Sequence, residues 1–228
     1  MIHVIQHTSA EFLGLIEDHL EGRSIRFRYC RPFTGSVPLP KAGALDQGLI
    51  LLGGGPWGSA GARDVPTLQE EIALARAALD AERPVVGIGL GAQILALAAG
   101  GTPQKTDLEF SVGVGKRVKT GALEGYLPLE YPLAVYMRDW PAPPPGAEVL
   151  ALDAKGRAAL WQLGRRALGF AAHPGLKVAM VEDLVMEFEE VAPGVDSGLA
   201  ALRAAQRGLE DALVPIMAGV VKLAGWMD

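Results

Sequence analysis

Three short glycine-bearing segments put small residues where backbone chemistry is done. Leu51-Leu52-Gly53-Gly54-Gly55-Pro56-Trp57-Gly58 reads as a strand ending in a glycine turn. There, N–H groups can point outward unobstructed and supply half of an oxyanion hole. Pro84-Val85-Val86-Gly87-Ile88-Gly89-Leu90-Gly91-Ala92-Gln93 has the strand, sharp turn and helix start of a nucleophile elbow. In that construction the turn residue is lifted above the sheet edge, and the N–H groups that follow stabilise a thiolate and a developing oxyanion. Gly87 and Gly91 are the small flanks the geometry needs, but Gly89 stands where a Cys or Ser would attack. Gly169-Phe170-Ala171-Ala172-His173-Pro174-Gly175 leads a strand to a His that could act as general base, with glycine again two residues on, where an orienting side chain belongs. Such an imidazole has no nucleophile to deprotonate and no carboxylate behind it.

The elements that would position these segments alternate. Apolar runs at Val4-Ile5, Ile25 to Tyr29, Leu49 to Leu52 and Pro84 to Ile88 are interleaved with helical periodicity over Glu11 to Leu20, Leu68 to Leu79 and Gln93 to Ala99. Parallel strands need crossover helices, so this pattern predicts an α/β fold with an open, doubly wound, mostly parallel sheet of flavodoxin-like type. After Gly101 the runs shorten: Ser111 to Val118, Leu133 to Met137, Glu148 to Leu152, Ala158 to Leu163 and Ala167 to Ala171 read as antiparallel additions. Trp140 to Gly146, rich in proline, reads as a surface connection. From Lys177 onward an apolar stripe (Leu199, Leu202, Leu209, Leu213, Ile216, Met217, Val220) predicts helices capped at Asp196 or Ser197 and kinked or divided at Pro215. The expected organisation is one domain over residues 1–228, with a C-terminal helical extension from about 177 to 228.

With 228 residues, half of them hydrophobic, the chain can bury a substantial core. A net charge of −5 with no Lys/Arg cluster offers no footprint for nucleic acid or an anionic membrane. The uncharged stretch Pro84 to Gln104 is long enough to cross a bilayer, but its glycines divide it into strand, turn and helix. Cys30 is the only cysteine, which excludes intramolecular disulfides and cysteine zinc sites and fits a reducing cytoplasm; Met1 to His7 carry no export signal. Cys30 has no helix start behind it to lower its pKa and reads as core. His3, His7 and His19 show no ligand spacing, so neither metal nor cofactor is expected.

Taken together and in this order, the three segments resemble the class I glutamine amidotransferases, and within them the amidotransferase part of guanosine monophosphate synthase. That family has a Gly-Gly-Pro loop, a Gly-x-Cys-x-Gly-x-Gln elbow and a Gly-x-Gln-x-His-Pro-Glu strand end. Pro66 to Arg76 resembles the helix before its elbow, Gly100-Gly101 the residues after the elbow helix, and Trp140 to Leu150 its Leu-Pro-x-Gly-Ala segment. The resemblance covers roughly residues 1 to 180. The departures are systematic: Gly89 replaces the nucleophilic Cys, Gly175 the Glu and Ala171 the strand Gln, while Met137 stands about where a Trp-His-Gly segment is usual.

The resemblance implies a glutaminase that works through a thioester, and losing the nucleophile removes that route; by analogy with serine triads the loss is on the order of a million-fold. Gly89, His173 and Gly175 are then vestigial catalytic positions, with none intact. Gly54, Gly55, Leu90 and Gln93 are the expected ligand-binding residues of a non-catalytic homologue. Its expected partners are a small carboxylate or amide, a synthase-like protein, or a second copy of the chain. The alternative is a hydrolase or amidotransferase of altered chemistry that uses His173.

Overall fold

In a computed structural model, residues 1–35 and 38–227 are described. The parallel half of the sheet holds β1 (Ile2–Ile5), β2 (Phe27–Cys30), β3 (Leu49–Leu51), β4 (Val85–Ile88) and β9 (Ala167–Phe170). The antiparallel half holds β5 (Glu109–Arg117), β6 (Glu130–Met137), β7 (Glu148–Leu152) and β8 (Ala158–Leu163). Among the described residues these nine strands form one sheet in the order β2-β1-β3-β4-β9-β8-β7-β5-β6. The helices are α1 (Leu15–Glu21), α2 (Leu68–Asp80), α3 (Leu90–Ala98), α4 (Val178–Glu187) and α5 (Val195–Ala224).

Alternation along the parallel strands builds two cores. Ile2, Val4, Ile50, Leu52, Val86 and Ile88 face α1 and α5, whereas Ile5, Leu49, Leu51 and Val85 face α2 and α3. Residues one apart point to opposite faces, so a strand sandwiched between helices must be apolar throughout. Pro84 to Gln104 is accordingly β4, a turn at Gly89, and α3, and among the described residues no helix is long and apolar enough to cross a membrane.

Four details depart from the sequence reading. Residues 167–170 are not an antiparallel addition only: β9 pairs with β4 in parallel, Gly87 opposite Gly169 and Ile88 opposite Phe170, and is antiparallel to β8 alone. Residues 11–14 are not helical, because Gly14 takes φ 60°, ψ −129° and α1 begins only after it. Trp140 is not on the surface. It is 2% exposed, its indole N–H donates to the Ala158 carbonyl, and the Arg157 guanidinium lies 3.4 Å from its ring centre. Finally, α5 runs unbroken through Pro215 and starts from Gly194 rather than Asp196 or Ser197. An interior proline costs about 3 kcal/mol, but Leu213, Ile216 and Met217 beside it are buried, and each buried side chain of that size returns about 1.5–3 kcal/mol.

Strand β9 sets His173 beside the elbow, and its fit against β8 is close. A Cβ at Gly169 would lie 2.2 Å from Cε2 and Cζ2 of the fully buried Trp161. Gly169→Ala should therefore cost about 1–3 kcal/mol in denaturant unfolding, as overpacked cores do. Trp161→Leu should cost more on its own, yet the double variant should lose less than the sum, because the smaller side chain at 161 relieves the clash. Additive losses would contradict this account.

Candidate functional site

The carboxyl ends of β1, β3, β4 and β9 meet at one edge of the sheet. Gly89 follows β4, caps α3, and adopts φ 54°, ψ −114°, a conformation that side-chain-bearing residues rarely take. Its N–H donates to the Phe170 carbonyl at 2.8 Å, which ties the elbow to β9. The small flanks are required by contact: a Cβ on Gly87 would meet the Gly91 carbonyl at 2.5 Å, and one on Gly91 the Leu51 carbonyl at 2.0 Å. The glycine loop after β3 faces the turn, with the Gly53 Cα 3.5 Å from where a Cβ at Gly89 would begin and Gly54 packed under the Leu90 side chain.

The donors of this edge divide into used and unused. Gly91 donates to the Leu52 carbonyl at 3.0 Å and so is not a free helix-start donor. Gly55 donates to Glu11 Oε2 at 2.9 Å. The N–H groups of Gly54 and Leu90 bond to none of the described residues, although both residues are buried. Gln93 has its amide on neighbours: Oε1 accepts from Ser59 Oγ at 2.6 Å, and Nε2 donates to the Arg138 and Asp139 carbonyls. With Asp139, which accepts from the Ser59 and Ala60 N–H groups, it pins the segment after the glycine loop to the end of β6.

The two other expected positions, His173 and Gly175, are turned inward. His173 Nε2 donates to the Phe12 carbonyl at 2.7 Å, and Nδ1 accepts from the Gly175 N–H at 3.1 Å. Both ring nitrogens are spent on backbone, which fixes a neutral imidazole. Burial drives its pKa down to about 4 against the pull of the Phe12 carbonyl. Gly175 is sealed: a Cβ there would lie 2.9 Å from the Ile16 N and 3.1 Å from the Leu13 carbonyl, and its own carbonyl accepts from Leu15 N–H.

A buried polar cluster that the sequence reading missed lies behind the glycine loop. His7, just after β1, is 3.0 Å through Nδ1 from the Gly53 carbonyl and 2.7 Å through Nε2 from Glu71 Oε2 on α2. Both partners accept, so the ring donates from both nitrogens and is an imidazolium. Burial works against that charge, but the Glu71 carboxylate outweighs it and the pKa is raised. Glu71 also accepts from the Thr67 hydroxyl at 2.6 Å and is wholly buried. The signal in the sequence is Glu71 itself, a carboxylate on the inward stripe Leu68, Glu71, Leu74, Ala75, Ala78 of α2. Glu11 is 4% exposed; burial pushes its carboxyl up to about 7, with the Gly55 N–H and His7 pulling the other way.

The end of α4 covers this arrangement. Leu184 and Phe188 sit over Gly55, and Phe188 packs edge-on against Trp57. Glu187 accepts from the Ser9 and Ala10 N–H groups, both at 3.0 Å, while Glu190 pairs with Arg63 and Arg138. Cys30 lies elsewhere, at the end of β2, with its Sγ 3.1 Å from the Pro38 carbonyl and its pKa raised by burial.

Comparison with known proteins agrees with this geometry. Residues 29–138 match the family model "Glutamine amidotransferase class-I". Among solved structures, a glutamine amidotransferase from Methylobacillus flagellatus superposes with TM-score 0.80 at 24% identity, over 97% of this chain and 94% of its own. One from Thermotoga maritima gives TM-score 0.81 at 20% identity, over 98% and 97%. A putative GMP synthase subunit from Thermoplasma acidophilum gives 0.57 at 19% identity, over 90% and 96%. No curated protein matches the sequence. Residues 29–138, which hold the glycine loop and the elbow, thus match the class I glutamine amidotransferase model, and the whole chain has the fold of the solved structures of that description.

Proposed function

We propose that this amidotransferase domain is non-catalytic and binds a small amide or carboxylate at the remnant of its active edge. The carrying observation is that all three chemical positions are disabled in different ways. Position 89 has no side chain, His173 has both nitrogens on backbone, and position 175 has no room for a carboxylate. What is left at the edge is the pair of unused donors, Gly54 and Leu90, with Gly55 held by Glu11 and Gln93 positioning the neighbouring segment. Backbone N–H groups at a helix start are a ready site for a carbonyl or carboxylate oxygen. The opposing reading, altered hydrolysis through His173, is disfavoured because a base with a pKa near 4 and no open nitrogen takes up no substrate proton. A synthase-like protein or a second copy of the chain is the second reading, favoured by Met186 on α4 and Val214 on α5, which are 77% and 54% exposed. The single buried Cys30 suits a cytoplasmic setting.

Incubated with glutamine, the purified protein should release ammonia at the uncatalysed rate, and Gly89→Cys combined with Gly175→Glu should not restore turnover. Gly89→Cys alone should fold but lose about 1–3 kcal/mol, because the thiol has space while its backbone sits at positive φ. Gly175→Glu should lose at least a similar amount through collision with the start of α1. A double variant that hydrolyses glutamine at unchanged stability would defeat the proposal.

His173 gives an acid signature of the same arrangement. Its folded pKa lies below the ordinary 6.5, so the unfolded chain binds the proton first and stability falls as pH drops from 6.5 through about 4. That gap corresponds to about 3 kcal/mol. Denaturant midpoints across this range should fall more steeply for the natural protein than for His173→Gln; parallel curves would refute the buried neutral imidazole.

A further inference from the structure

We propose that a cavity between the exit of β1 and the start of α2 binds a small neutral aromatic molecule of the phenol class. It lies apart from the donor pair of the remnant edge, for neither Gly54 nor Leu90 lines it, so it stands independently of the binding role proposed there. The cavity has a volume of about 90 Å³. Among the described residues its walls are Pro32 and Phe33 after β2, Trp57 after the glycine loop, and Val65 and Pro66 before α2. Most of these walls are held in place before any ligand arrives. Two are prolines, and the Val65 N–H donates to the Gly58 carbonyl at 3.1 Å. The Trp57 ring has the Arg63 guanidinium over it at 4.9 Å and Phe188 packed edge-on. A wall that is already ordered loses little freedom on binding.

The two polar residues that complete the lining, His7 and Thr67, have their hydrogen-bonding groups engaged elsewhere. His7 uses Nδ1 on the Gly53 carbonyl and Nε2 on Glu71, and the Thr67 hydroxyl donates to the same carboxylate at 2.6 Å. Water needs two to four polar partners, so it is poorly held here and an apolar group displaces it favourably. Charge then selects among apolar groups. With both nitrogens of His7 occupied, what the residue turns to the cavity is ring carbon carrying the positive charge of an imidazolium, and such a charge attracts the negative face of an aromatic ring. An alkyl group of equal size gains nothing from it. A cation meets like charge from His7 and Arg63, and a carboxylate finds no free donor to replace its hydration. Size sets the limit. An apolar cavity of about 150 Å³ holds a benzene, so this smaller one takes a single ring, with its polar substituent directed to solvent past Phe33, which is 44% exposed.

The test titrates the full chain with phenol, reading the Phe33 and Thr67 amide signals by NMR. Two further probes accompany it: cyclohexanol, which lacks the aromatic face, and benzylamine, which is a cation at neutral pH. Phenol should give saturable shifts at both amides and bind at least about threefold more tightly than either of the others, as expected for a ring against a buried cation. Phe33→Ala removes an exposed wall, so the fold should survive while phenol affinity falls about tenfold. Met186→Ala, on α4 and outside the lining, is the control and should leave that affinity unchanged. Cyclohexanol binding as tightly as phenol overturns the aromatic class, and benzylamine doing so overturns the neutral one. A phenol affinity untouched by Phe33→Ala, or shifts at these amides that never saturate, overturns the site itself.

Discussion

A carboxylate removed from water must find donors, and Glu11 finds one in the backbone of the glycine loop. That single contact links the first strand's exit to the loop after β3, and the rest of the carboxyl edge is arranged around it. The imidazolium of His7 shares the same loop through the Gly53 carbonyl, and Glu71 anchors the imidazolium to α2. Breaking one member of such a set leaves buried charge uncompensated, which costs far more than forming the set returned. The edge is therefore held by its own electrostatics, independent of whether any reaction occurs there.

The glycines and the charged cluster do different work. Gly87, Gly91 and Gly53 permit backbone to approach backbone or carboxylate at distances that no Cβ would tolerate. They preserve the shape of an elbow facing an oxyanion loop. At positions 89 and 175, by contrast, there is no side chain, with the space at 175 closed by the start of α1, and at 173 the imidazole is bonded to backbone through both nitrogens. The geometry also folds the protein: the turn at Gly89 joins β4 to α3 and bonds to β9.

How much of this the sequence discloses follows from what is local. The βαβ alternation, the elbow and the glycine loop are contiguous patterns, and the observed elements follow them except at the start of α1. The pairing of β9 with β4 is not local. Ala167 to Phe170 has the composition of any short buried strand, and only the long excursion through β5 to β8 decides that it returns beside β4 in parallel. The burial of Trp140 is hidden for a related reason, since the prolines after it signal a connection while its own environment depends on Arg157 and Ala158. The buried polar part of the site is concealed by separation in the chain: His7 and Glu71 are 64 residues apart, and Glu11 and Gly55 are 44 apart. Glu11 is further disguised by a helical period that Gly14 interrupts.

A side chain at 175 would collide with the start of α1, whose Leu15 N–H bonds to the Gly175 carbonyl. The same short segment, Glu11 to Gly14, places the Glu11 carboxylate on the loop, gives His173 its Phe12 carbonyl and closes the space beside Gly175. One loop thus accounts for the occupied donor, the inward histidine and the sealed carboxylate position. The surroundings of positions 173 and 175 are therefore set by the path of the backbone through this loop.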